Sequence, residues 1–291
     1  MHGTTPGLSA GTDSRLAELE RQRPEYRTWL RLLAEIRRAL QDPAWSGLVT
    51  LPGHDGAGTG RAPGEPLLNG RELSVDPKAL RGLVGRLLET ADARVHPPSA
   101  DTSIHLLMAA LQHDVDGLAA LAARAGMDPG TFRTVAVLAA VPLLHSAGRL
   151  LREQVPPSWD HGYCPICGSW PLLAELRSLD RSRRLRCAGC AGDWPFRMLC
   201  CPYCGEKDHE RLGTLVLDEE MTTFSVETCS SCHGCLKSIT TLQAISPFDL
   251  LLCDLETLEL DLAAFDRGYV RPDGAGFRLN LRLGTTDRST R

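Results

Sequence analysis

Four Cys-x-x-Cys pairs between residues 164 and 232 constrain this chain more than any other feature. They read Cys164-x2-Cys167-x19-Cys187-x2-Cys190, then ten residues, then Cys201-x2-Cys204-x24-Cys229-x2-Cys232. A Cys-x-x-Cys turn sets two sulfurs on one side of a tight loop, where backbone N–H groups can donate to them. Two such turns complete the tetrahedral four-thiolate shell that Zn2+ or a single iron takes. The opening pair of each half is written CPxCG, at Cys164–Gly168 and Cys201–Gly205. Proline stiffens the turn, and glycine supplies the left-handed residue that brings the chain back. Sequential pairing therefore makes two similar modules. Pairing the two central knuckles instead would leave Cys164/Cys167 to close with Cys229/Cys232 across 61 residues and would break the repeat. Interleaved pairing, first knuckle with third and second with fourth, stays open. The candidate metal ligands are thus Cys164, Cys167, Cys187, Cys190, Cys201, Cys204, Cys229 and Cys232, and their pattern suits iron and zinc alike.

The other cysteines carry weaker signals. Cys200 stands beside Cys201 as a packing residue, Cys235 continues the x2 step as a spare ligand, and Cys253 falls on a helical stripe as core. His161, His209 and His233 lie near knuckles whose four sulfurs already suffice, so they are expected to support the shell or to face solvent. Tyr163, Trp170, Trp194, Phe196 and Tyr203 flank the sites and are expected to shield them. Eleven cysteines, in a chain whose first 14 residues show no basic and apolar leader, read as thiols of a reducing compartment. The expected location is the cytoplasm. The longest apolar run, Val135–Leu144, is short for a membrane span.

No cysteine precedes Cys164, and the N-terminal half reads as helices. Trp29, Leu32, Leu33, Ile36 and Leu40 form one apolar stripe; Ile104, Leu107, Leu111, Val115, Leu118 and Ala122 form another, expected as one long helix carrying His105 and His113. Asp76-Pro77 and Asp128-Pro129 each write a capping residue followed by proline at the first helical position. Leu51–Pro66 is a Gly/Pro-rich loop without a dinucleotide fingerprint. Strand-like pieces, Gly213–Leu217 and Thr222–Val226, lie between knuckles; Asp249–Phe265 is helical, and the residues from Gly274 onward look loosely ordered. The expected fold is α with a small β part: a helical N-terminal domain, two rubredoxin-like or zinc-ribbon-like modules of four cysteines each, and a C-terminal helix. Its expected bounds are 1–158, 159–198, 199–245 and 246–291.

Closed four-thiolate shells leave no position for water or substrate, and no Walker A or HExxH motif stands in the chain, so no enzyme is expected. Three functions fit. A nucleic-acid-binding ribbon draws support from Arg177, Arg181, Arg183, Arg184 and Arg186. Against it stand a net charge of −4 and twelve acidic against three basic residues over 205–261; two filled four-thiolate sites would bring the net charge to about −8. A rubredoxin-type electron carrier does not need the long helical half. A protein-binding accessory factor uses all of the chain, with the metal modules as struts and the helices as a docking surface.

The stretch Gly162–Pro171, with Cys164-Pro-Ile-Cys167-Gly-Ser-Trp170-Pro, resembles the formate dehydrogenase accessory proteins of the FdhE family. So do Leu185–Cys190 with Asp193, Trp194 and Arg197, the CPYC of Cys201–Cys204, and Glu227–Cys232 with Leu236 and Lys237. Asp254–Leu258, Leu260, Asp261, Gly268 and Tyr269 resemble the family's closing helix. The resemblance is specific from Trp159 to Arg271 and general in pattern before that. It implies a cytoplasmic protein whose eight knuckle cysteines hold iron in two rubredoxin-like sites. It also implies contact with the catalytic subunit of a respiratory formate dehydrogenase, which needs the factor to become active. No nucleic-acid partner and no membrane insertion are expected, and homo-oligomerisation is left open. The chain departs from the family at Cys235, where an aromatic residue is usual, and at Cys200.

Overall fold

A computed structural model describes residues 11–46, 62–92, 98–217 and 223–285. Most of the expected loop Leu51–Pro66 lies outside them, as does Thr222. The two anticipated helix starts are built as written. The Asp76 carboxylate accepts from the Lys78 and Ala79 N–H groups to open α4 (Pro77–Ala91), and Asp128 accepts from Thr131 to open α7 (Pro129–Leu151). Around α7 pack α2 (Arg27–Gln41), α4, α5 (Ala100–Leu111) and α6 (Val115–Ala125). The segment Pro129–Gln154 is long and apolar enough to cross a membrane by length and composition, but 72 % of its apolar window is buried as the centre of the bundle.

Two helical expectations are corrected. The stripe Ile104–Ala122 is not one helix. It breaks at Gln112–Asp114, where His113 takes φ 54 and the Asp114 carboxylate caps α6 by accepting from Gly117. Apolar spacing runs across the break, so periodicity alone conceals it. On α2 the buried face is Leu30, Leu32, Leu33, Ile36 and Ala39, with Trp29 turned toward solvent at 40 % exposure.

The cysteine region forms one six-stranded sheet of order β4-β3-β2-β7-β6-β5. Its strands are β2 (Leu173–Arg177), β3 (Ser182–Arg186), β4 (Asp193–Pro195), β5 (Leu212–Leu215), β6 (Phe224–Cys229) and β7 (Cys235–Thr241). The first three belong to the first module and the last three to the second. Within each module the pairing is antiparallel; β2 and β7 run parallel and weld the modules edge to edge. One sheet face is covered by α8 (Pro247–Glu256) and α9 (Leu258–Phe265), through Leu173, Ile239, Leu250 and Cys253 and through Val226, Leu260 and Ala264. The expected C-terminal helix is therefore two helices. At the break, the Lys237 ammonium rises from β7 and donates to the Asp254 and Thr257 carbonyls, serving the orphan acceptors at the end of α8. The N-terminal α1 (Thr12–Gln22) lies on α8, with the buried Arg15 paired to Glu256 and Asp249.

From Gly274 to Thr285 the chain is ordered beyond expectation. β8 (Arg282–Thr285) pairs in parallel with β1 (Glu72–Val75), and Leu279 and Leu281 enter the main core. That core runs without a gap from Leu32 and Leu83 through Leu144 and Ala147 to Cys187, Cys190 and Trp194, so the bundle and the first module share it. The approach is closest at Gly148, where a Cβ would stand 2.0 Å from the Cys190 carbonyl oxygen. Any residue larger than glycine would push α7 away from the second knuckle.

Candidate metal centres

Each module repeats one plan: a knuckle, two strands, a second knuckle, a third strand. The plan brings the eight predicted cysteines into two groups, Cys164/Cys167/Cys187/Cys190 and Cys201/Cys204/Cys229/Cys232, with all sulfurs of a group within 4.8 Å of one another. The grouping is sequential rather than interleaved. Across the knuckles Cys164 and Cys190 stand 3.3 Å apart, Cys167 and Cys187 3.5 Å, and Cys201 to Cys232 and Cys204 to Cys229 3.7 Å each. Four sulfurs at the usual Zn–S distance of ~2.3 Å on a tetrahedron are separated by about 3.8 Å. The donor set and its dimensions therefore fit one ion at each site.

The electrostatics point the same way. Burial pushes the Cys164 thiol well up, hydrogen bonds from its three neighbours pull Cys167 well down, and hydrogen bonding to Cys164 holds Cys190 high. At the second site burial raises Cys201, and it lifts Cys232 to about 11. Burial also opposes ionisation of Cys229, but N–H donation from Cys232 and Ser231 outweighs it and lowers that thiol. Four thiols this close ionise together only around a cation, so metal binding at either site releases protons.

The surroundings of the first site include a histidine to which the sequence assigned no role. His113, at the corner between α5 and α6, places Nε2 3.2 Å from Ser169 Oγ, and that hydroxyl lies 3.3 Å from Cys167 Sγ. The imidazole is half-buried, and that burial lowers its basicity. Of the flanking aromatics, Trp194 is fully buried, Tyr163, Trp170 and Tyr203 join Trp159 in a chain of edge contacts from the first knuckle to the third, and Phe196 lies under the Arg183 guanidinium at 5.3 Å. His161 stacks on Tyr163 at 5.0 Å, while His209 and His233 face solvent.

The remaining thiols stay outside both groups. Cys235 packs with Val226, Leu260 and Ala264 behind β7, and Cys200 is buried beside Cys201. Cys253 is core, as expected, but its sulfur also accepts from Arg15 Nη2 at 3.2 Å, and burial raises its thiol to about 11.

The basic hairpin is not a free cationic surface. Arg177 pairs with Glu175 and Asp193, Arg183 with Glu227, Arg184 with Asp193, and Arg186 with Glu175. Arg183 and Arg186 are buried, and of the five only Arg181 is exposed, bonded to Thr240. The acidic partners stand on β2, β4 and β6 of the same sheet, so the charges neutralise one another within it.

A helical bundle sharing its core with a sheet that carries two four-cysteine, zinc-ribbon-like modules is the class of protein this fold and these sites define. No protein-family profile matches the chain. It is similar to the FdhE homologue of Stutzerimonas stutzeri, 33 % identical over 115 residues, covering 38 % of this chain and 37 % of that one. The FdhE homologue of Pseudomonas aeruginosa is 34 % identical over 114 residues (37 % of each chain), and that of Aquifex aeolicus 29 % over 119 (39 % and 40 %). The matches thus span well under half of those relatives' length. The crystal structure of the FdhE protein from Pseudomonas aeruginosa superposes with a TM-score of 0.53 at 24 % identity, over 91 % of this chain and 93 % of that one. The sequence likeness is thus confined to a limited stretch, and the likeness over the whole chain is one of fold.

Proposed function

We propose that this chain is an accessory factor that a respiratory formate dehydrogenase needs in order to become active. In this reading it acts in the cytoplasm on the immature catalytic subunit and does no catalysis of its own. The helical half supplies the docking surface, and the eight knuckle cysteines hold two metal ions, iron in the first instance and zinc as the alternative. The observation that carries the reading is the pair of closed four-sulfur groups in a fold shared with FdhE. A filled four-thiolate shell binds no substrate, which suits a brace or a one-electron centre and not a hydrolytic metal. The internal pairing of Arg177, Arg183, Arg184 and Arg186 removes the main support for the nucleic-acid reading.

The test is formate-dependent dye reduction in extracts of the source organism with and without the gene, with the dehydrogenase subunits followed by immunoblot. Activity should vanish while the subunits still accumulate, and an intact copy should restore it. Unchanged activity would refute the accessory role.

A further inference from the structure

The two metal centres are built on the same turns, residue for residue. The Cys164 and Cys201 N–H groups donate to the Ser169 and Glu206 carbonyls at 2.9 Å in both, and Gly168 and Gly205 donate back to Cys164 and Cys201 at 2.9 and 3.0 Å. In the closing knuckles, Cys187 and Cys229 donate to Gly192 and Gly234 at 3.0 Å in both. What differs is the cover. The four sulfur-bearing residues of the first site are each at most 1 % exposed, whereas Cys204 and Cys232 of the second are exposed.

Each difference in cover has an address. Gly168 is roofed by the C-terminal segment: the Phe277 N–H donates to its carbonyl at 3.0 Å, and a Cβ on Gly168 would meet the Phe277 oxygen at 2.5 Å. Its counterpart Gly205 takes the same left-handed turn with nothing within 4 Å of that point. Cys190 is held against α7 at Gly148, while Cys232 is followed by the exposed His233. Ser169 ties Cys167 to His113. The equivalent Glu206 turns its carboxylate to Ser231 Oγ at 2.6 Å and to the N–H groups of Lys207 and Asp208.

Resting on the reading that both groups hold metal, we infer that the second site is the exchangeable one. Its ion passes to an external donor while the protein stays folded, and the ion of the first site leaves only when the module opens. Exchange at a four-thiolate ion requires an incoming donor to reach the shell as one thiolate departs. Cys204 and Cys232 offer that access from both knuckles. At the first site every sulfur lies behind α7, the His113 corner or the C-terminal segment, so exchange waits on local unfolding. The donors suited to the open site are soft ones, a thiolate or an imidazole nitrogen, presented by a small molecule or a partner chain.

The test uses the full chain loaded with zinc and challenged anaerobically with an excess of a chromogenic pyridylazo chelator. Two equivalents should leave in two phases, the first at least roughly tenfold faster than the second. Iodoacetamide present during the reaction, read by mass spectrometry, should label Cys204 and Cys232 in the first phase and Cys164, Cys167, Cys187 and Cys190 only in the second. Joint Cys204→Ser and Cys232→Ser changes should remove the fast phase and leave the slow one. A single phase overturns the inference, as does a fast phase accompanied by labelling of the first site. Uptake of fewer than two equivalents by the unaltered chain refutes the two-metal reading itself and takes the inference with it.

Discussion

His113 Nε2 and Ser169 Oγ stand 3.2 Å apart, joining the corner between α5 and α6 to the first four-cysteine group. Through the Ser169 hydroxyl the contact reaches Cys167, so the helical half positions a sulfur of the module against which it packs. Replacing a group that orients a metal ligand typically costs about 10–100-fold in metal affinity.

Replacing His113 by Asn isolates that contact, because Asn tolerates the left-handed backbone found there at φ 54. Metal affinity at the first site should fall by roughly tenfold or more, with the second site unchanged. Competition against a chelator of known affinity measures both sites, and equal affinities in variant and parent would show that the contact is idle.

Gly148→Ala offers a test in which the sign alone decides. Inside an exposed helix the change would stabilise by about 0.5–1 kcal/mol. Here the added Cβ would stand 2.0 Å from the Cys190 oxygen, so α7 and the knuckle must part. A loss of about 1–3 kcal/mol is expected in urea unfolding.

Glu175, fully buried, accepts from Arg177 at 2.7 Å, Thr241 at 2.9 Å and the Ile245 N–H at 3.0 Å, and it pairs with Arg186. Burial alone would raise its carboxyl, but the hydrogen bond from Arg177 and the charge of Arg186 hold it below its usual value. A lowered folded value means that the stabilisation is complete above the unfolded carboxylate range, about pH 4.3, and is lost as pH falls through the folded value. Glu175→Gln should cost about 3–5 kcal/mol at neutral pH. Urea titrations should show the gap between the two proteins closing as the solution is acidified below about pH 4.

Arg15 fastens α1 to α8 by reaching Glu256 at 2.5 Å and Asp249 at 3.2 Å, with the Arg15 and Glu256 side chains each 2 % exposed. Arg15→Met strands a buried carboxylate and should cost about 3–5 kcal/mol. Limited proteolysis should then cut first within residues 12–22. Adding Glu256→Gln should recover much of the loss, since the uncompensated charge is removed.

The local parts of this structure were legible in the sequence, and the long-range ones were not. Cys-x-x-Cys spacing and the CPxCG turns are short-range instructions, and they announced both knuckle pairs of each module. The parallel joint of β2 to β7 left no such trace, because register between distant strands is set by packing across the whole sheet. His113 escaped for the same reason, since Ser169 lies 56 residues away. Two signals were present but unread. Asp114 is a capping residue in the middle of the presumed long helix, and Leu279, Leu281 and Leu283 alternate as a strand should. The arginines of β2 and β3 looked like a surface for anions because their partners, Glu175, Asp193 and Glu227, are brought opposite them only when the strands pair.

The most direct measurement of the central claim is the metal content per chain of anaerobically purified protein, before and after joint Cys164→Ser and Cys167→Ser changes. Two closed four-sulfur centres predict two ions per chain, falling to about one in the variant while the second site stays filled. A chain that is folded yet carries no metal, or a variant that still carries two ions, would contradict it.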